Sequence, residues 1–387
     1  MFFSRTPGIG GTIKNRAEDF LVEEIMPDGT ILELDRNFER AGEGRFTHFV
    51  LQKKDWSTSS ALLEMAKRLH ISHKRLNFAG TKDKVAISTQ LASAFDVPKE
   101  RILGLNIKDI QVNGAWNAPD KVRLGALLGN RFTIAVEGAA NEERIPGIAG
   151  ELQGKFPNYF GEQRFGSTRR NTHIIGQKIL EETFEDAVMV FLCDCEGEEN
   201  EAAKKARKEL ESTKNFHDAL KNYPKHLRLE RKIIAYLEKS ENYTAALKSL
   251  PRSTLLLFIH AFQSHLFNKM LEQRLPDPEL EEGEYFCGET LGFPDISKME
   301  AEGWICGKLI GYNSPINERE KQIMEESGIT KDHFRIPKIP EIASKGTYRT
   351  LLAPLKNLEY NGRFRFELPA GSYATVAMEE FIKHNSA

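Results

Sequence analysis

The residues whose types and spacing are best suited to chemistry are Asn77-Phe78-Ala79-Gly80-Thr81-Lys82-Asp83-Lys84, followed by Val85-Ala86-Ile87-Ser88-Thr89-Gln90. Small Ala79 and Gly80 permit a tight backbone, and Asp83 stands between two lysines on a turn expected to lead into a strand. An ionised carboxylate on a rigid turn can act as a nucleophile or as a general base. The same residues also describe a solvated Lys-Asp-Lys turn with Asp83 in an Asx role. Spacing alone leaves both readings open.

Other chemistries find less support. The amino-terminal Pro7-Gly8-Ile9-Gly10-Gly11 is Gly-rich, but no strand precedes it and the G-x-G-x-x-G spacing is missing, so it reads as a flexible lead-in rather than a dinucleotide site. Neither G-x-x-x-x-G-K-[ST] nor H-E-x-x-H occurs. His70 and His73 have helical spacing without a third ligand, and are expected at the surface rather than on a metal. Cys193 and Cys195 form a C-x-C with no second close pair, since Cys287 and Cys306 lie far downstream. Four scattered thiols are not a disulfide framework, and they point to a reducing, cytoplasmic setting. No cofactor or metal is expected.

Positioning such a turn requires strands and a helix around it. Thr47, Phe49 and Leu51 alternate with His48, Val50 and Gln52, which predicts a strand. Ser57 to Ser60 offer capping hydroxyls to an amphipathic helix with Leu62, Met65, Ala66 and Leu69 on its apolar face. Phe132, Ile134 and Val136 alternate with Thr133, Ala135 and Glu137, predicting a second strand. From about residue 170 the texture becomes helical, and Thr254 to Leu271 is apolar on nearly every side, as in a buried helix. After about residue 343 strands return, with Phe364, Phe366 and Leu368 on one face. A final strand closing the first sheet makes the middle of the chain an insertion.

The chain has 387 residues, enough for two or three domains with a sizeable core, and 54 Lys and Arg against 56 Asp and Glu give a net charge of -2. Bulk charge therefore names no partner, but its distribution is uneven. From Lys67 to Lys84 there are six basic residues and one acid, Asp83 itself, whereas 181–201 carries nine acids and no base. The acidic block, the basic stretch 204–232 and the acidic segment 276–284 are expected to be solvated surfaces. The longest apolar run, Ala187 to Cys193, is far below the roughly 20 residues of a membrane span, and no membrane partner is expected.

Several segments, taken together, resemble the TruD family of tRNA pseudouridine synthases, in the family's order and over nearly the whole chain. Lys14 through Glu23 resembles its opening motif and Phe78 through Lys84 its catalytic motif. Gly129-Asn130-Arg131-Phe132 is similar to G-N-x-F, and Phe160-Gly161-Glu162-Gln163-Arg164-Phe165-Gly166 to F-G-x-Q-R-F-G. Ala261 through Asn268 resembles a segment of the family's inserted domain, and Leu368 through Thr375 its closing motif.

The resemblance implies an α+β fold with a central mixed sheet, interrupted by a helix-rich insertion. Residues 1–158 and 343–387 would form the catalytic domain and 159–342 the inserted one, with RNA bound in a cleft. The implied activity is isomerisation of uridine to pseudouridine in tRNA, at position 13. Asp83 would be the essential carboxylate, as nucleophile or base, and Lys14 the basic residue that pairs with it. Phe132 would stack on the target base, Asn130 would hydrogen-bond uracil or ribose, and Phe20 and Tyr373 would line the pocket. Phosphate contacts are expected from two clusters, Lys67, Arg68, Lys74 and Arg75, and Arg164, Arg169, Arg170 and Lys178. The partner implied is tRNA, and no obligate protein partner is inferred. Rival readings are a non-catalytic RNA-binding or tRNA chaperone module, and a small-molecule isomerase or hydrolase using Asp83 with Lys14.

Overall fold

The computed structural model describes residues 2–166 and 168–383. The chain begins with β1 (Phe20–Ile25), β2 (Phe46–Lys54), α1 (Thr58–Arg68), β3 (Leu76–Phe78), β4 (Ile87–Phe95), α2 (Lys99–Leu103), β5 (Ile110–Ala118), β6 (Gly129–Ile134), α3 (Ile145–Leu152) and β7 (Lys155–Pro157). Helices follow: α4 (Thr172–Leu180), α5 (Phe184–Cys193), α6 (Glu201–Thr213), α7 (Phe216–Asn222), α8 (Arg228–Leu237), α9 (Tyr243–Lys248) and α10 (Arg252–Glu272). Then come β8 (Tyr285–Thr290), β9 (Phe293–Glu300), β10 (Trp304–Leu309), α11 (Glu318–Glu326) and β11 (Thr347–Thr350). The last elements are β12 (Leu352–Pro354), β13 (Lys356–Tyr360), β14 (Phe364–Pro369) and α12 (Ala374–Ile382).

Two compact units result. One comprises the chain up to Asn158, Glu289–Asp295, and the stretch from Leu352 onward; the other comprises Tyr159–Gly288 and Ile296–Leu351. After the short Glu289–Asp295 excursion, the chain returns to the first unit for the last time at Leu352, whereas the sequence suggests a return near residue 343. The reason is local: β11 is hydrogen-bonded to β10, with Gly307 opposite Arg349, and stays with the second unit.

The first unit is built on an eight-stranded sheet of order β13-β14-β6-β1-β4-β2-β5, with β3 added beside β4. Its β1–β4 pair is parallel and its other pairings are antiparallel, so the sheet is mixed. Residues paired across neighbouring strands share a face. Val22 lies beside Ser88, Lys53 opposite Ser88, Leu51 opposite Gln90, and Glu24 opposite Asn130. One face therefore carries Phe20, Val22, Phe132, Phe364 and Phe366 toward one end and Phe49 and Leu51 toward the other.

Helices cover both apolar ends of that face. Ile148 and Leu152 of α3 and Met378 and Phe381 of α12 bury the first group, while Leu62 and Met65 of α1 bury the second. The capping expected for α1 is present, Ser57 accepting a hydrogen bond from the Ser60 amide at 3.2 Å. Polar Glu24, Lys53, Ser88 and Gln90 fall on the same face between the two apolar groups, and all four are buried. The amino-terminal glycines are not a loose lead-in. Ile9 is fully buried, and its amide and that of Gly10 bond the carbonyls of Phe381 and Ile382.

In the second unit, α10 is buried along most of its length, as its composition requires. The charge blocks are less solvated than expected. Arg207, 1% exposed, donates to the carbonyls of Phe191 and Leu192 and pairs with Glu230 at 3.1 Å. Within the acidic segment 276–284, Glu284 pairs with Arg274 at 2.6 Å with both side chains buried.

Candidate active site

Between β3 and β4 the chain makes the turn that carries Asp83, and its hydrogen bonds explain why the turn is fixed. The Lys82 amide donates to Thr58 Oγ1 at 2.9 Å, Thr58 Oγ1 donates to Gln90 Oε1 at 2.8 Å, and Gln90 Nε2 donates to the Gly80 carbonyl at 3.0 Å. Lys82 and Glu24 form an ion pair with side chains only 3% and 1% exposed. Glu24 also accepts the Leu91 amide at 2.9 Å. A buried pair depends on further hydrogen bonds to its atoms; the Leu91 amide supplies one to the Glu24 carboxylate, and the pair anchors the turn to β1 and β4.

Asp83 itself remains partly open, its side chain 32% exposed, and Lys14 Nζ meets its Oδ2 at 2.8 Å. Lys14 adopts a left-handed backbone, φ 64°, just before the short turn that leads into β1. Its ammonium also lies 4.2 Å from the centroid of the Phe20 ring, a cation–π distance. Phe20 meets Phe132 edge-on at 5.9 Å, and Phe132 packs against Phe366 at 5.7 Å. Lys14, Asp83, Phe20 and Phe132 thus form one contiguous group.

Phe20 and Phe132 are 1% and 6% exposed, so they are core residues at the base of the site and do not form an open stacking platform. Gly129 begins β6 because a Cβ there would meet the Leu368 carbonyl at 2.1 Å. Asn130, the next residue, has a buried Oδ1 with no hydrogen-bond partner among the described residues. An unsatisfied buried amide oxygen carries a desolvation cost and is a ready acceptor for a ligand N–H or O–H. Tyr373 is half-buried at the amino terminus of α12, beyond β14, whose Pro369 pairs with Gly129.

The basic residues divide. Lys67, Arg68 and Lys74 are exposed, the first two within reach of Glu64. Arg75 is built into the fold instead, its guanidinium donating to the carbonyls of Phe95 and Asp96. In the second unit, Arg169 is committed to the carbonyls of Phe191 and Asp194, and burial lowers the pKa of its guanidinium. Arg164 bonds Ser264 Oγ at 3.0 Å and lies over the Phe160 ring. Arg170 is exposed beside Glu162, and Lys178 pairs with Glu181 at 2.7 Å. His70 and His73 are exposed. Among the described residues, no three His, Cys, Asp or Glu side chains are grouped to hold a metal ion, and no helix is long and apolar enough to cross a membrane.

Sequence reasoning missed Lys53, Glu24, Thr58 and Gln90. Lys53 is 1% exposed, and its Nζ donates to the Asp83 backbone carbonyl at 2.8 Å. Its signal was available, because the alternation that turns Phe49 and Leu51 inward also turns Lys53 inward.

Set beside known proteins, the chain matches the family described as tRNA pseudouridine synthase D (TruD) over residues 1–381. The chain belongs to the TruD family. A Methanosarcina mazei relative named "Probable tRNA pseudouridine synthase D" is 33% identical, aligned over 100% of this chain and 96% of its own length. One of the same name from Archaeoglobus fulgidus is 34% identical, with 99% and 97% covered. A crystal structure of a Methanosarcina mazei protein assigned to TruD superimposes with a TM-score of 0.76 at 33% identity, covering 100% of this chain and 96% of the other. The TruD assignment agrees with the mixed sheet and the helical region described above.

Proposed function

We propose that this protein is a tRNA pseudouridine synthase that isomerises uridine to pseudouridine at position 13, with Asp83 as its essential carboxylate. The observation that carries the reading is the 2.8 Å Lys14–Asp83 pair, on a turn locked from below by buried hydrogen bonds and still open to solvent. The reaction breaks the N1–C1′ bond, turns the uracil and joins C5 to C1′, with the C5 hydrogen lost to water. A positioned carboxylate serves as nucleophile at the sugar or as base on it. Asn130 supplies an acceptor for uracil or ribose, and Phe20 and Phe132 supply an apolar floor. Tyr373 lines the pocket.

In this reading the first unit is the catalytic domain and the second the family's inserted domain. Exposed Lys67, Arg68, Lys74 and Arg170, together with Lys178, contact phosphates and help offset the few kcal/mol needed to unstack a base. A cytoplasmic location follows from tRNA as substrate. The test is incubation with tRNA labelled with tritium at uridine C5. Label should be released by the wild-type protein and not by Asp83→Asn, which should still bind the tRNA. No release from an unmodified total tRNA pool would sink the enzyme reading, and release with unchanged rate from Asp83→Asn would remove Asp83 from its role.

A further inference from the structure

Lys53 is an odd residue to find inside this sheet. It sits on β2 opposite Ser88, buried between the apolar groups held by α1 on one side and by α3 and α12 on the other. An ammonium removed from water is costly unless it is paired with a carboxylate. Among the described residues Lys53 has no carboxylate within ion-pair distance, and its one hydrogen bond goes to the main-chain carbonyl of Asp83. The charged groups around it are Asp83 and Lys82 on the turn and Asp55 just past its own strand. Lys82 is already bound to Glu24, and Asp83 to Lys14.

We infer that Lys53 is a positioning residue of the isomerisation, holding the Asp83 peptide from beneath and placing a second fixed cation next to the Asp83–Lys14 pair. This rests on the function proposed above. Lys53 does not touch substrate. It acts through Asp83, and Asp83 in turn supports its charge: burial pushes the Lys53 ammonium down to about 8, and the Asp83 carboxylate opposes that shift. A lysine with a lowered value is charged below it and neutral above it. The positioning charge is therefore lost as pH rises through about 8.

The experiment is a pH–rate profile of the full-length protein on tRNA, with wild type, Lys53→Met and Lys53→Arg. Wild-type kcat should fall as pH rises through about 8. Lys53→Met should lower kcat at pH 7 by about 10- to 100-fold with KM changed less than about threefold, and should lack the alkaline limb. Lys53→Arg, which stays charged, should recover part of the rate and push the limb upward. A Lys53→Met enzyme with kcat within about twofold of wild type, with its loss in KM alone, or with the limb intact, overturns the inference. A second measurement needs neither activity nor a Lys53→Met protein that folds: NMR titration of carbon-labelled lysines in wild type and Asp83→Asn. One resonance should titrate near 8 and move lower in Asp83→Asn. Lysines that all titrate as in solvent, or a resonance unmoved by Asp83→Asn, overturn it. Because this readout does not need isomerisation, failure of the functional reading and failure of the Lys53 assignment are told apart.

Discussion

Lys14 and Asp83, 69 positions apart in sequence, meet at 2.8 Å with the Phe20 ring packed against the same ammonium. The contact joins the segment before β1 to the turn before β4, and the parallel β1–β4 pairing is what brings them together. Lys14 achieves it from a left-handed backbone, which costs a side-chain-bearing residue roughly 1–2 kcal/mol. Replacing Lys14 by Met and by Gly separates the two properties. Both should lose at least about tenfold in kcat on tRNA, because the charge is gone. Lys14→Gly should melt no lower than Lys14→Met, because glycine adopts that backbone without strain. A Lys14→Gly protein that is clearly the less stable would contradict the strain argument.

The buried Glu24–Lys82 pair should behave as a fastener rather than as a source of net stability. Removing one partner strands the other in the core and should cost about 3–5 kcal/mol in urea unfolding of Glu24→Leu. The double variant Glu24→Leu with Lys82→Met should recover part of that loss. Recovery should stop short of wild type, because the Leu91 amide loses its acceptor, a penalty of about 1–3 kcal/mol. Turnover should remain low even where stability returns, since the turn is no longer tied to β1.

Asn130 presents the opposite balance. Its buried Oδ1 has no partner among the described residues, so the fold bears a desolvation cost for an acceptor it does not use. Asn130→Leu should therefore leave the melting temperature unchanged or raise it, while lowering kcat/KM on tRNA by about tenfold or more. Loss of both stability and activity would mean that the amide supports the fold instead.

Much of this was legible in the sequence. The strands around Phe49 and Phe132, the cap at Ser57, the inward face of α1 and the turn at Asp83 all follow from local periodicity and side-chain chemistry. What local pattern could not supply was the partner of each polar residue. Alternation with Phe49 and Leu51 turns Lys53 inward, but only the register shows what it and Glu24 face, placing them opposite Ser88 and Asn130 on a covered face. Arg75, Arg169 and Arg207 misled for the same reason: a run of basic residues does not reveal which guanidinium has been drawn inside to bind carbonyls. Phe132 is assigned to base stacking only by the family resemblance; its own apolar alternation suits a core residue, and Phe20 and Phe366 pack on either side of it.

A cluster of rings in the second unit gives a pH dependence with a definite sign. His265 on α10 stacks on His173 of α4 at 4.7 Å, with Phe165 meeting both rings edge-on. Burial, with lesser help from His173 and Lys269, lowers the His265 imidazole to about 4. His173 is also lowered by burial, and its Nδ1 has no hydrogen-bond partner among the described residues. The folded state thus keeps His265 neutral where the unfolded chain, with an ordinary value near 6.5, has begun to take up a proton. Wherever the unfolded state binds more protons, stability rises with pH. The contribution is fully present above about pH 6.5 and is lost progressively as pH falls toward 4, by on the order of 3 kcal/mol. Urea unfolding between pH 7 and 5, above the range where most carboxylates titrate, should show the decline. His265→Phe keeps a ring in the stack and removes the proton site, so its stability should fall less steeply over the same interval. An identical slope in the variant would show that His265 does not titrate between the folded and unfolded states as its burial requires.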